Sequence, residues 1–254
     1  MFAASAIAAC TALLCVSIWV LRGRAQGSVI SRAYTTDVGE QRSVMLEDGS
    51  TVVLDAQSRM QVRLSSRDRI IDLDGQALFS VAHDPTRPFR VRAGRTTIVA
   101  VGTEFNVRSE GAIQVAVLDG VVRLYPHGAA AAGAHDEGES FEKLTRQLIA
   151  GEGASVDRNG DVTELKVDRA SVTAWEQRRL IFARVPLDEI VREFNKYNRR
   201  GHLRVEGNVA ALRFGGVFDA TDPSPLLRIL SRNSAVVLEQ SGEETIIRDR
   251  VQGR

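Results

Sequence analysis

The chain has 254 residues, 44% of them hydrophobic, which is enough for two small domains with buried cores. Its 33 basic and 32 acidic side chains leave a formal net charge of +1, without a long block of one sign. Because nucleic-acid-binding proteins carry a concentrated basic patch, this composition argues against nucleic acid as a direct partner. Both cysteines, Cys10 and Cys15, lie near the start, so the remaining chain can form neither a disulfide framework nor a thiolate metal site.

The first segment is apolar, with no charged side chain from Phe2 to Leu21. About 20 apolar residues match the hydrocarbon thickness of a bilayer, so residues 1–25 are predicted to form a transmembrane helix and its flank. A cleaved signal peptide and a lipoprotein box ending at Cys10 are the alternatives. They fit less well, because a signal peptide has a basic start and a shorter apolar core, and Cys10 has almost nothing upstream. The basic residues Arg22, Arg24 and Arg32, taken alone, would place the following chain in the cytoplasm.

Residues 26–170 are predicted to form an all-β domain, as a β-sandwich or a solenoid-like stack. From about Ala33 to Tyr125, short β-branched runs with period-two alternation are separated by Gly or Asp turns. Three Asp-Gly pairs stand between apolar runs and predict hairpins, because glycine tolerates the positive φ that such turns need. These pairs are Asp48-Gly49, Asp74-Gly75 and Asp119-Gly120. Residues 127–140 are rich in Ala and Gly and are predicted to form a flexible loop.

Residues 171–254 are predicted to form a small α+β domain with the order β-α-β-β-α-β, ending in a hairpin. The first helix is expected from Pro186 to about Asn198, because four apolar residues fall at i, i+3, i+4 and i+7 on one face. Those residues are Leu187, Ile190, Val191 and Phe194. A second helix follows Asp222-Pro223, and both helices are expected to cover one face of one small sheet.

Seven short motifs in the all-β part stand in the order and spacing of a known domain. They are Val38-Gly39-Glu40 with Arg42, Leu46-x-Asp48-Gly49-Ser50, Leu54-Asp55-Ala56-x-Ser58, Gly75-x-Ala77-x-Phe79-x-Val81, Arg87-Pro88-Phe89-x-Val91, Val101-Gly102-Thr103-x-Phe105-x-Val107 and Gly120-x-Val122. This part resembles the FecR protein domain. Trp175, Arg179-Leu180-x-Phe182, Pro186-Leu187-x-Glu189 and Phe194-Asn195-x-Tyr197 resemble the C-terminal domain of the same family, which is similar to the short N-terminal module of secretins and TonB receptors.

The resemblance implies an anti-sigma-type regulator in the bacterial inner membrane, single-pass, with its C-terminal bulk in the periplasm. It implies two partners: the signalling domain of a TonB-dependent outer-membrane transporter, usually for iron or siderophores, and an extracytoplasmic-function sigma factor. In the family a cytoplasmic domain before the membrane span holds the sigma factor, and this sequence has no such segment. Either the N-terminus is truncated or the protein does not bind sigma factor itself. The family also has Gly before the Arg179-Leu180 pair, where Arg178 stands here.

Gly102-Thr103 matches a site at which some family members are thought to cleave themselves, through attack of the Thr hydroxyl on the preceding carbonyl. The alternative is that Thr103 is a strand residue beside a Gly bulge, and this interpretation is favoured because spacing alone rarely identifies a nucleophile.

No cofactor and no metal is expected. The histidines His83, His127, His135 and His202 are scattered, without the close spacing of metal ligands. The leading hypothesis is therefore a regulator that acts by binding and is not an enzyme. The alternative is a membrane-tethered periplasmic binding or scaffolding module without a sigma-factor role.

Overall fold

A computed structural model of the chain describes residues 29–126 and 145–250. The predicted transmembrane helix at residues 1–25 and the predicted loop at residues 127–140 lie outside this range. Across the residues that are described, no helix is both long and apolar enough to cross a membrane.

The first part of the described chain is built from β-strands alone. Its strands are β1 (Ile30–Thr35), β2 (Arg42–Met45), β3 (Thr51–Leu54), β4 (Arg59–Leu64), β5 (Arg69–Asp74), β6 (Gln76–Ser80), β7 (Phe89–Ala93), β8 (Thr96–Ala100), β9 (Glu104–Arg108), β10 (Ile113–Asp119), β11 (Val121–Tyr125), β12 (Arg146–Ile149), β13 (Glu152–Val156) and β14 (Val162–Lys166).

These strands form two sheets. Sheet A has the order β1-β4-β5-β7-β8-β11-β12, and sheet B has the order β14-β13-β10-β9-β6-β3-β2. The core lies between them because alternate side chains point inward, as in β4, whose residues alternate between exposed and buried. Phe79 sits at its centre, stacked on Phe105 with ring centroids 5.2 Å apart and edge-on to Phe89 at 6.0 Å. The prediction of an all-β part is confirmed, and its two layers are those of a sandwich.

Only one of the three Asp-Gly pairs closes a hairpin. Asp48-Gly49 lies between the paired strands β2 and β3, as predicted. The hairpin prediction is wrong at Asp74-Gly75 and Asp119-Gly120, where the chain passes from one sheet to the other. Gly75 has φ +104°, and a Cβ there would stand 2.7 Å from the Cα of Ser58. The glycine of an Asp-Gly pair, with its positive φ, is therefore found where the chain crosses from one sheet to the other as well as in a hairpin.

The second part contains helices and short sheets. Its elements are α1 (Arg169–Thr173), a 3-10 turn (Ala174–Gln177), β15 (Arg179–Pro186), α2 (Leu187–Tyr197), β16 (His202–Glu206), a 3-10 turn (Gly207–Ala211), β17 (Arg213–Asp219), α3 (Ser224–Ser231), β18 (Val236–Ser241) and β19 (Glu244–Asp249). We call β15 to β19 with α2 and α3 the C-terminal module. The element order matches the predicted one, with the closing hairpin supplying β18 and β19.

The expected single sheet is wrong. The strands of the C-terminal module form two sheets, β15-β17 and β16-β19-β18. The predicted apolar stripe of α2 is confirmed, since Leu187, Ile190 and Phe194 are fully buried and Val191 is nearly so. Because helix α2 contacts both β15 and β16, its broad apolar face packs against two sheets.

The linker between the two parts bends sharply at Arg178. Its φ is +55°, the left-handed conformation that glycine adopts without a steric penalty. At the position of the missing family glycine, Arg178 therefore adopts a conformation that glycine favours.

Candidate functional site

A buried polar cluster joins the sandwich to the C-terminal module, and we call it the junction. At its centre is Asp55, which follows β3 and has no exposed surface. One oxygen of Asp55, Oδ1, accepts a hydrogen bond from the Tyr197 hydroxyl at 2.6 Å and one from Gln41 Nε2 at 3.3 Å. Tyr197 is the last residue of α2, so the carboxylate of one part holds the helix end of the other.

Lys196 places its ammonium group among three carboxylates of the junction. Its side chain is 5% exposed, and Nζ lies 2.8 Å from Glu110 Oε1, 3.4 Å from Glu193 Oε2 and 3.7 Å from Asp55 Oδ2. Arg108, at the end of β9, forms an ion pair with Glu193 on α2. Two cations thus face three carboxylates. Arg108 with Glu110 and Lys196 with Glu193 are pairs within one part, whereas the contacts of Lys196 with Asp55 and Glu110 and of Arg108 with Glu193 join the two parts.

The protonation states follow from this arrangement. Burial by itself would lower the pKa of Lys196, but the charges of Glu193, Glu110 and Asp55 outweigh burial and the pKa is raised. The pKa of the Tyr197 hydroxyl is raised strongly, first by burial and then by the neighbouring Asp55 charge. The lysine is therefore charged and the tyrosine neutral at physiological pH, so both donate to the carboxylates.

Main-chain contacts surround the charges. The Gly39 amide donates to the Lys196 carbonyl at 2.8 Å, and Arg199 Nε donates to the Val38 carbonyl at 3.1 Å. Gly39 has φ +72°, and a Cβ there would lie 3.0 Å from the Tyr197 carbonyl oxygen. A glycine is required at this position because the end of α2 approaches the backbone closely.

Trp175 anchors the linker on the outer face of sheet B. Its indole is 5% exposed and packs with Leu78 and Leu118, while its carbonyl accepts a hydrogen bond from Gln41 Nε2 at 2.6 Å. In the other direction, Ala56 of the sandwich is buried in the core of the C-terminal module. Each part therefore contributes to the packing of the other, and a displacement of α2 has to move Asp55 and Gln41.

The contacts of the junction couple the sandwich to the C-terminal module, and they do not form a catalytic arrangement. Lys196 and Arg108 pair with the junction carboxylates, and among the described residues the cluster contains no serine, cysteine or histidine side chain that contacts them. Nor does the described chain, residues 29–126 and 145–250, group three or more His, Cys, Asp or Glu side chains so that they could hold a metal ion.

Gly102 and Thr103 lie away from the junction, before β9. The Thr103 side chain is buried, and its hydroxyl donates to the Val121 carbonyl at 3.0 Å. A Cβ on Gly102 would stand 2.9 Å from His83 Cβ, so glycine is needed there for a close approach. Self-cleavage stays a prediction. If Thr103→Ala leaves the pattern of chain fragments on a blot unchanged, the prediction is wrong.

Several junction residues were not recognised in the sequence. Gly39 and Asp55 belonged to motifs quoted for the resemblance, and Tyr197 to another, without a role. Lys196 and Glu193 were not among the specified residues of the quoted motifs. The available signal was that Asp55 and Ala56 directly follow a buried strand where a polar turn is usual, but nothing identified their partners on α2.

Comparison with known proteins agrees with this fold. Residues 32–123 match the family model described as FecR protein, which confirms the resemblance for that segment. None of the curated proteins matches the chain. Two crystal structures of a "putative anti-sigma factor" from Parabacteroides distasonis ATCC 8503, at 2.50 and 1.65 Å, share its fold. Both are 24% identical to this chain, with a TM-score of 0.71. The match to the 2.50 Å structure covers 87% of this chain and 100% of that one. The match to the 1.65 Å structure covers 86% of this chain and 99% of that one.

Proposed function

We propose, from the match of residues 32–123 to the FecR protein family model, that the protein is a membrane-anchored signalling regulator of the anti-sigma type. In this proposal residues 1–25 anchor the chain in the bacterial inner membrane, with the sandwich and the C-terminal module in the periplasm. The module docks the signalling domain of a TonB-dependent transporter, in iron or siderophore uptake, and the chain relays transporter occupancy to an extracytoplasmic-function sigma factor. The name of the two similar crystal structures supports the anti-sigma part.

The junction is the observation that carries the proposal. A relay needs a connection through which a partner bound to one domain can influence the other. The link from Tyr197 to Asp55 and the charges around Lys196 provide it, since neither part can move without uncovering buried charge. The protein acts by binding, and its output is a change in how the two parts are held together.

Strand β17 is the docking edge that fits this role. Among the described strands it pairs only with β15, so its second edge is open. The middle of β17, Phe214 to Phe218, contains no charge and no proline, the residues that usually protect an open edge. Val217 is 55% exposed on this strand. An extended segment of a partner can therefore add to β17 as a further strand.

The test is capture of the full chain from the envelope of its native bacterium after cross-linking, with bound proteins identified by mass spectrometry. The informative variant is Val217→Lys, which places a charge on the docking edge. Its matched control is Ile229→Lys, the same change at an exposed residue of α3 in the same module. We expect the wild type and the control to recover a TonB-dependent transporter through its periplasmic domain, and Val217→Lys to lose it.

Equal recovery by Val217→Lys would reject β17 as the docking edge. Recovery of only peptidoglycan-associated or unrelated envelope proteins by the wild type would reject the relay. That outcome would favour a tethered scaffolding module.

A further inference from the structure

The outer face of sheet A, formed by its side chains that point away from sheet B, is basic, and within residues 29–126 and 145–250 its arginines stay partly or fully exposed. Its outward strand positions carry five arginines and two aspartates, with no lysine and no glutamate. They are Arg59, Arg63, Arg90, Arg92, Arg123, Asp72 and Asp74. The excess of three positive charges lies on one face of a sheet, in a chain that is almost neutral overall.

Three of these arginines form a regular row across the sheet. The register places Arg63, Ile70, Arg90, Val99 and Arg123 directly beside one another on successive strands. Because neighbouring strands are about 4.8 Å apart, the arginines recur about every 10 Å, separated by half-buried apolar side chains. We call Arg63, Arg90 and Arg123 the arginine row.

Ion pairs within the face leave much of this charge available. Arg63 lies 2.7 Å from Asp72, and Arg92 lies 3.8 Å from the same carboxylate. Arg90 reaches Asp68 only at 3.9 Å. Within the described residues, Arg59 and Arg123 form no ion pair. The guanidinium groups can therefore donate to oxyanions outside the protein, for which their planar, multi-donor shape is suited.

The position of this face in the chain points to its occupant. The outer face of sheet B is occupied by Trp175 and the C-terminal module, so the two faces are not equivalent. Strand β1 is the edge of sheet A and begins at Ile30, and eight residues, 22–29, separate it from the end of the uncharged segment at Leu21. Eight residues span at most about 29 Å, so an anchor in the bilayer would keep sheet A beside the lipid headgroups.

We propose that the outer face of sheet A lies on the bilayer through contacts of its arginines with anionic phospholipid headgroups. The inference rests on the membrane anchoring in the proposed function. Phosphate groups at the bilayer surface complement the arginine row, in which the half-buried Ile70 and Val99 stand between the arginines. The two sheets pack about 10 Å apart, and the C-terminal module is on the far side of sheet B. Lipid contact by sheet A would therefore point the module, with its docking edge, away from the membrane.

The test reconstitutes the full chain into vesicles with a quenching group on some lipid headgroups. A fluorophore is attached at Val99→Cys in a Cys10→Ser, Cys15→Ser background, which leaves one thiol. A second sample carries the fluorophore at Ile229→Cys, on the C-terminal module. Vesicles of phosphatidylcholine are compared with vesicles containing about one third phosphatidylglycerol, the anionic component.

We expect strong quenching at position 99 only with phosphatidylglycerol, and little quenching at position 229 with either lipid. About 1 M NaCl should abolish the quenching at position 99, because the Debye length falls to about 3 Å. Each surface arginine contributes about fivefold to association with an anionic bilayer, so Arg63→Gln, Arg90→Gln and Arg123→Gln together should weaken the contact on the order of 100-fold.

The matched control removes three exposed arginines elsewhere, Arg158→Gln, Arg200→Gln and Arg232→Gln, and should leave quenching at position 99 unchanged. The variant with Arg63→Lys, Arg90→Lys and Arg123→Lys keeps the positive charge and should retain the contact. Its retention would show that the Gln variant loses the contact because charge is lost and not because the protein misfolds. Equal quenching in both lipids, or equal loss in the control triple, would overturn the proposal. Loss of lipid contact with unchanged transporter recovery would reject this inference and leave the proposed function intact.

Discussion

The two outer faces of the sandwich differ in how far the rest of the described chain covers them. The outer face of sheet B includes Leu78 and Asn106, which are buried in the folded chain, and its charged residues Glu104 and Arg108 pair with the linker and with α2. The outer face of sheet A displays arginines on every second strand, and Arg63 and Arg123 remain exposed. One sandwich therefore presents one surface to its own chain and another to its surroundings.

The difference shows which polar residues stabilise the fold. Asp55 and Lys196 are buried on the sheet B side, where an unpaired charge is costly. The arginines of sheet A lie in water, where ion pairs contribute little. Substitutions of the same chemical type should therefore have large effects at the junction and small effects on sheet A.

The largest expected effect is at Trp175. Trp175→Ala removes the indole that packs with Leu78 and Leu118, and loss of a buried aromatic side chain costs about 3–5 kcal/mol. The free energy of unfolding, measured by urea denaturation with circular dichroism, should fall by that amount. The comparison is Ile149→Ala, at an apolar residue 47% exposed on sheet A, for which a change within about 0.5 kcal/mol is expected. Similar losses in the two variants would contradict the distinction between the faces.

The second largest effect is at Lys196. Lys196→Met keeps much of the volume but leaves Asp55, Glu193 and Glu110 short of a cation, which should cost about 3 kcal/mol. Arg123→Met removes an arginine from sheet A and should be nearly neutral. The two variants are compared by urea denaturation and by the rate of protease cleavage in the linker. A Lys196→Met protein as stable as the wild type would show that the junction charges are dispensable.

The stability difference between the wild type and Lys196→Met should depend on pH in a defined direction. The pKa of Lys196 is raised in the folded chain, so its stabilisation is complete below the unfolded value of about 10.4 and is lost as pH rises through the folded value. The stability difference between wild type and Lys196→Met should be constant at neutral pH and shrink above about pH 10.5. A difference that already shrinks at neutral pH would place the lysine in a different environment.

A smaller effect, of opposite sign, is expected at Arg178. Its left-handed φ of +55° costs about 1 kcal/mol for a residue with a Cβ, and glycine removes that strain. The side chain gives up a long contact of 3.4 Å to the Gly39 carbonyl and a charge interaction with the exposed Asp219. Arg178→Gly should raise the free energy of unfolding by about 1 kcal/mol in the same urea assay, whereas Arg178→Ala should not. Destabilisation by glycine would mean that the guanidinium contributes more than the strain.

The sequence predicts local features well where one segment determines them. The apolar stripe of α2 and the Asp48-Gly49 hairpin depend on residues close together in the chain, and both are found. The corners at Gly75 and Gly120 were mistaken for hairpins, because an Asp-Gly pair has the same backbone preference in both settings. Only the approach of Ser58, far from Gly75 in sequence, distinguishes the two.

The junction could not be found from the sequence for a related reason. Tyr197 and Asp55 are 142 residues apart, and neither residue type indicates a specific partner. The basic face of sheet A was missed because strands alternate their side chains. Its arginines appear in the sequence as isolated residues, and only the register brings Arg63, Arg90 and Arg123 into one row.

The smallest effect is expected for the arginine row itself. Changing Arg63, Arg90 and Arg123 to Gln should alter the free energy of unfolding by less than about 1 kcal/mol in total, because exposed ion pairs contribute little each. Only Arg63 has a close partner, Asp72 at 2.7 Å. Loss of this pair also frees Asp72 to meet Arg92, which limits the cost. A loss as large as that at Lys196 would make the row a structural network. A small change would mean that stability does not account for arginines placed on alternate strands, so that contact with a partner remains the reason for their arrangement.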